Sequence, residues 1–181
     1  MHPNFKENMP ISNDGESLVK YFEGCKDGDL SEADLQPYLA PEGYWTVAHG
    51  HLIIDPTTHE PLIASQKARA YELFPHVTPE QDIELLNSDL HNAESRVRLC
   101  LPQMELKQCE LDSLISQAYN ISSFPTLAKH LRVEGREIYL QKLLLYCHDI
   151  KGHLLPGLLK RRQAEKMLFE GQSWQQILTQ I

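Results

Sequence analysis

Only one stretch of this chain is composed for strands. Tyr44-Trp45-Thr46-Val47-Ala48-His49-Gly50-His51-Leu52-Ile53-Ile54 is rich in aromatic and β-branched residues, the types that suit a pleated, half-buried surface. Asp55-Pro56-Thr57-Thr58 and His59-Glu60-Pro61 follow it with turn residues. The natural reading is a small antiparallel sheet. Every later segment carries apolar residues at helical spacing. These features predict an α+β fold: a small N-terminal α/β lobe with a short antiparallel sheet, then a larger helical lobe.

The helices have legible ends. One starts near Asn13, with Glu16 placed to answer the cap in a box-like arrangement. Leu18, Val19 and Phe22 give it an apolar stripe, and Gly24 is placed to end it. Residues 25–37 are polar and read as a loop. Ser65 to Phe74 form a helix. Thr78-Pro79-Glu80-Gln81 supplies a cap, a proline at the first helical position and a glutamine at the third. That helix turns Ile83, Leu86, Leu90, Ala93 and Val97 inward, and Pro102 bounds it. Glu105 to Ile121 form the next, with Leu111, Leu114, Ile115 and Ala118 apolar. Shorter helices are expected near 126–133, 136–148, 157–170 and 173–180. Residues 1–11 read as an arm, and 12–181 as one domain of two lobes.

Charge narrows the function. A formal net charge of -8 argues against nucleic acid, whose phosphates need clustered Lys and Arg. The one dense basic run, Lys160-Arg161-Arg162, reads as a solvated helix face. No run of 18 apolar residues is present, so no membrane span is expected. Met1 to Pro10 lacks the basic start and apolar stretch of a secretory signal. The expectation is synthesis in the cytoplasm and delivery by another route. Cys25, Cys100, Cys109 and Cys147 form no CxxC pair, and reduced thiols are expected, with a disulfide after export left open.

Glu23 is the first residue with a chemical argument. It stands at the C-terminal end of a helix, where the dipole disfavours a carboxylate. A carboxyl group held in its acid form is what protonates a leaving oxygen in glycoside cleavage. Alone this is weak, because a solvated helix-end Glu is commoner. His49 and His51 stand two apart and could begin a metal site, but the sequence offers no evident third ligand, so no metal is expected. A nucleophilic Cys25 would need a His partner that the sequence does not identify.

The residues around Glu23 add a pattern. Phe22-Glu23-Gly24-Cys25-Lys26, Pro37-Tyr38-Leu39 and Glu42-Gly43-Tyr44-Trp45-Thr46-Val47-Ala48-His49-Gly50-His51 resemble the catalytic signature of the phage-type lysozymes, glycoside hydrolase family 24. Asp89-Leu90 with Glu94 resembles that family's long central helix, and Gln108, Leu111-Asp112-Ser113-Leu114 and Ala118-Tyr119-Asn120-Ile121 resemble a further helix of the family. Leu155-Pro156-Gly157-Leu158 with Arg161-Arg162 and Glu165 is similar to a later element. The resemblance spans about residues 12–171.

The resemblance implies a lysozyme-like fold. It also implies a muramidase that cuts the β-1,4 bond between N-acetylmuramic acid and N-acetylglucosamine in peptidoglycan. Glu23 would be the general acid and Thr46 would help hold the hydrolytic water. His51 would be structural. Tyr44, Trp45, Asn120 and Phe124 would contact glycan. No cofactor is implied, since two carboxyl groups and a water suffice. The expected partners are glycan strands, with an immunity or delivery protein as a further candidate, and the expected state is a monomer. The site of action would be the bacterial cell wall in the periplasm, reached through a holin, as for an endolysin, or through a secretion machine, as for an antibacterial effector.

Three departures matter. The family's Asp or Cys lies six residues before the Thr, and here that position is Ala40. A loop carrying Asp27, Asp29, Glu32 and Asp34 is inserted between Glu23 and Tyr38. One motif glycine is replaced by Ala48. Four readings of Ala40 remain open: an engineered Asp-to-Ala change that silences the enzyme, a substitute carboxylate from Glu42 or the inserted loop, slow hydrolysis by the acid alone, or a catalytically dead module that binds glycan or a protein.

Overall fold

The computed structural model describes residues 9–28, 34–149 and 151–181. Among these the chain is mostly helical, with one three-stranded antiparallel sheet. It divides into two compact units, Met1–Phe22 with Leu90–Ile181, and Glu23–Asp89. Residues 1–8 of the expected arm and Asp29 and Glu32 of the inserted loop lie outside the described residues.

The smaller unit holds the sheet: β1 (Tyr38–Leu39), β2 (Trp45–Val47) and β3 (His51–Leu52), in the order β1-β2-β3. Tyr38 pairs with Thr46, and Thr46 in turn pairs with Leu52. The hairpin between β1 and β2 turns at Pro41-Glu42-Gly43. Gly43 N–H donates to the Ala40 carbonyl and Ala40 N–H to the Tyr44 carbonyl, each at 2.9 Å. Gly43 has φ +88°, the left-handed residue that closes a three-residue hairpin loop. The next turn, between β2 and β3, places Ala48 at φ +55°. There a side chain costs about 1–2 kcal/mol relative to glycine, which explains why a glycine is the residue expected at that position.

Trp45, Val47, Ala48, Ile53, Leu62, Ala70 and Val77 form the core of this unit. A short 3₁₀ turn (Ala64–Gln66) leads into α2 (Lys67–Leu73), so the helix expected over 65–74 begins as the tighter form. The long helix α3 (Pro79–Cys100) begins as its sequence indicated. Thr78 N–H donates to Gln81 Oε1 at 3.0 Å and Gln81 N–H to Thr78 Oγ1 at 3.3 Å, a reciprocal cap. Its inward face departs from expectation in the first turn. Ile83 is 47% exposed and Asp82 is buried instead. Asp82 is drawn in because its carboxylate meets His49 Nδ1 at 2.7 Å. Two turns later Asp89 meets His51 Nδ1 at 2.9 Å. Residues seven apart share a helix face, so one stripe of α3 receives both histidines.

The larger unit is built on α4 (Gln108–Asn120), whose residues from Glu110 to Ala118 are all buried. Around it lie most of α1 (Asn13–Glu23), α5 (Phe124–Glu134), α6 (Arg136–Leu143), α7 (Pro156–Phe169) and α8 (Trp174–Leu178). The expected span of 136–148 is shortened because residues after Leu143 turn, with Tyr146 N–H bonding the Leu143 carbonyl at 3.0 Å. At the start of α1, Asp112 accepts from Ser12 N–H at 2.9 Å and from its hydroxyl at 2.6 Å. Glu16, expected to answer the cap, pairs with Lys20 at 2.5 Å. Gly15 lets α1 approach α4 closely, since a Cβ there would stand 2.7 Å from Asp112 Cβ.

The basic run of α7 is not the solvated face its charge suggested. Arg161 and Arg162 are buried, and both lie 3.1 Å from the buried Glu165 carboxylate. The Ser116 hydroxyl donates to the same carboxylate at 2.7 Å, and Arg162 donates to Asn120 Oδ1. Such a network offsets buried charge by pairing opposite signs.

Candidate active site

The smaller unit contains a cavity of about 340 Å³. Its lining includes Glu23, Lys26, Tyr38, Ala40, Glu42, Tyr44 and Thr46. The sheet brings these together: β1 carries Tyr38, the β1–β2 turn carries Ala40 and Glu42, and β2 carries Thr46. Glu23 ends α1, and Gly24 at φ +62° turns the chain away. Lys26 N–H then bonds the Ala48 carbonyl at 3.2 Å.

Two carboxyl groups, Glu23 and Glu42, therefore face one cavity, and Ala40 contributes only a methyl between them in sequence. Of the inserted-loop acids, Asp27 accepts from Gln36 N–H at 2.9 Å and closes its own loop. Neither Asp27 nor Asp34 lines the cavity. Glu42, the other candidate substitute carboxylate, is exposed and also edges the cavity.

Tyr38 was quoted only as part of a motif, yet it is the group on which the cavity's charges converge. Burial, followed by the negative fields of Glu23, Cys25 and Glu42, pushes its phenol up to about 12. It therefore stays protonated near neutral pH and offers an O–H donor. Lys26 Nζ lies 5.6 Å from the centre of the Tyr38 ring, within cation–π range. The Thr46 hydroxyl donates to the Tyr44 carbonyl at 3.2 Å, which leaves its oxygen lone pairs as acceptors.

The other expected contact residues are placed differently. Tyr44 edges the cavity and is exposed. Trp45, the next residue along β2, faces the opposite side of the sheet and is only 6% exposed, with Tyr71 edge-on at 5.9 Å. Its ring is a core element, as alternation along a strand requires. Phe124 is fully buried in the larger unit, where Leu127 and Ala128 of the same helix are also buried. That burial leaves its ring no face for a sugar. Asn120, at the end of α4, accepts from Arg162.

Residues 20–165 match the phage lysozyme family. An endolysin of Acyrthosiphon pisum secondary endosymbiont phage 1 is 30% identical over 169 residues, covering 90% of this chain and 99% of that protein. Among solved structures, an endolysin from Escherichia coli O157:H7 phage FAHEc1 superposes with TM-score 0.67 at 23% identity, covering 92% of this chain and 97% of that one. The muramidase domain of SpmX from Asticaccaulis excentricus gives TM-score 0.66 at 24% identity, covering 90% and 98%. These two likenesses establish the lysozyme-like fold.

Proposed function

The chain belongs to the phage lysozyme family, and from that membership we propose that it is a peptidoglycan hydrolase, a muramidase with Glu23 as general acid. The observation that carries the reading is the shared lining of one cavity by Glu23, Thr46 and Glu42. Glu23, in its acid form, gives its proton to the glycosidic oxygen as the C1–O bond breaks. A water resting against Thr46 adds to C1 from the opposite face. Its proton passes to Glu42, the substitute for the carboxylate that Ala40 lacks. An inverting mechanism requires the acid and base carboxyl groups to stand about 6.5–9.5 Å apart, with room for the water between them. The Tyr38 phenol supplies a donor to a sugar oxygen in the same cavity.

Glu42 stands on a turn and is exposed, so it orients water less firmly than a carboxylate at position 40 would. The proposed activity is therefore slow. Action at the bacterial cell wall follows from the substrate. No helix among the described residues is long and apolar enough to cross a membrane, and delivery through a holin or a secretion machine is part of the proposal.

Ala40 favours a second reading, a module that binds glycan without cutting it. Release of new reducing ends from purified peptidoglycan separates the two. The hydrolase reading expects release by the wild-type chain and faster release by Ala40→Asp. Retention on peptidoglycan with no release by either form would support the module.

A further inference from the structure

We propose that Cys25, His49 and Asp82 form a site for a divalent cation of borderline softness, with Zn²⁺ the best match. The three residues come from separate segments: the chain just after α1, the turn between β2 and β3, and the first turn of α3. Each brings one ligand atom within 4.8 Å of the other two. All belong to the smaller unit.

The donor set fits this metal class. Zn²⁺ takes thiolate, imidazole and carboxylate ligands in tetrahedral geometry. Bond lengths of about 2.0–2.3 Å put neighbouring ligand atoms about 3.3–3.6 Å apart. A separation within 4.8 Å closes to that spacing by rotation of side chains. The most mobile of the three supplies most of the movement, because Cys25 is exposed. His49 Nδ1 and Asp82 already share a hydrogen bond at 2.7 Å, so an ion held by both displaces the shared proton and the two groups part by about half an ångström to reach the ligand spacing.

Binding releases the thiol proton to solvent, and the sulfur, a ring nitrogen of His49 and a carboxylate oxygen of Asp82 donate their electron pairs. Three protein ligands leave the fourth position to water. The burial of Asp82 in place of Ile83 also gains a purpose, since it turns a carboxylate toward the histidine.

The bound ion would tie three segments of the smaller unit together. A ligand that binds only the folded form stabilises it.

The test uses the reduced full-length protein, titrated with Co²⁺ as a spectroscopic probe and then with Zn²⁺. The expected result is one equivalent of Co²⁺ bound with a sulfur-to-cobalt charge-transfer band, abolished by one equivalent of Zn²⁺. Cys25→Ser should remove the band. His49→Gln and Asp82→Asn should weaken binding by at least the roughly 10–100-fold typical of outer-shell losses. Cys109→Ser should leave the band unchanged. Absence of the band in the wild-type chain, or its persistence in Cys25→Ser, would overturn the proposal. Cys25 is exposed, so Cys25→Ser folds and decides the question even if a His49 or Asp82 variant does not.

Discussion

The Thr46 hydroxyl donates to the Tyr44 carbonyl across 3.2 Å, so at a cavity wall this side chain presents acceptor lone pairs. A water there would donate to Thr46 and turn its own lone pair toward the sugar carbon. Thr46→Ser keeps the oxygen and should retain most activity. Thr46→Val keeps the shape and loses the acceptor, and its kcat should fall by about 10²-fold, the scale of a misplaced reactant. Reducing-end release by the two purified variants checks this, with the prediction failing if Val equals Ser.

Ala40 and Glu42 should behave as alternatives. Glu42→Gln should lower kcat by about 10²–10⁴-fold, the usual worth of a positioned general base. Ala40→Asp should raise it, and in the double variant the loss from Glu42→Gln should largely vanish. Equal loss in both backgrounds would show that Glu42 acts elsewhere. A double-mutant cycle measures this coupling.

Glu165 is the anion of a buried network, within 3.1 Å of Arg161 and Arg162. Burial pushes the Arg162 guanidinium down and Glu165 opposes that. Glu165→Ala should destabilise the fold by about 3–5 kcal/mol, the usual effect of breaking a buried pair. Urea unfolding followed by circular dichroism gives the value, and a change below about 1 kcal/mol, the worth of a surface pair, would contradict the network's role.

Asp55 sets part of the acid limit. The Arg69 guanidinium, bonded to it at 2.9 Å, and the Thr57 N–H hold its carboxyl down from 3.8 to about 2. Because the folded value is the lower one, the charged pair stabilises the fold above 3.8 and the benefit fades as pH falls toward about 2. The melting temperature of the wild type should therefore exceed that of Asp55→Asn near neutrality and converge on it over that window. A gap independent of pH would refute the assignment.

Local signals were legible and distant partners were not. The Thr78–Gln81 cap and the helices after it follow from residues a few positions apart, and the Glu23 and Thr46 pattern led directly to one cavity. Tyr38–Leu39 was not read as a strand, because two residues are too few to carry an alternation. Ile83 rather than Asp82 was expected to face inward, and Lys160-Arg161-Arg162 read as a solvated helix face. The burial of Asp82, Arg161 and Arg162 depends on distant groups: His49, 33 positions from Asp82, and Ser116 and Asn120 of α4, 45 and 42 positions from Arg161 and Arg162. Trp45 and Phe124 were expected at glycan, and both turned inward because a large apolar ring stabilises most when removed from water. The inward turn of Trp45 was readable in principle from strand alternation, given that Thr46 faces the cavity.

The most direct measurement is soluble muropeptide release from purified peptidoglycan by the wild-type chain and by Glu23→Gln, at equal folded concentration verified by circular dichroism. The substitution removes the proton donor and preserves the shape. The prediction is measurable release by the wild type and a loss of at least about 10²-fold in the variant. Release by Glu23→Gln at the wild-type rate would contradict the central claim that Glu23 is the acid.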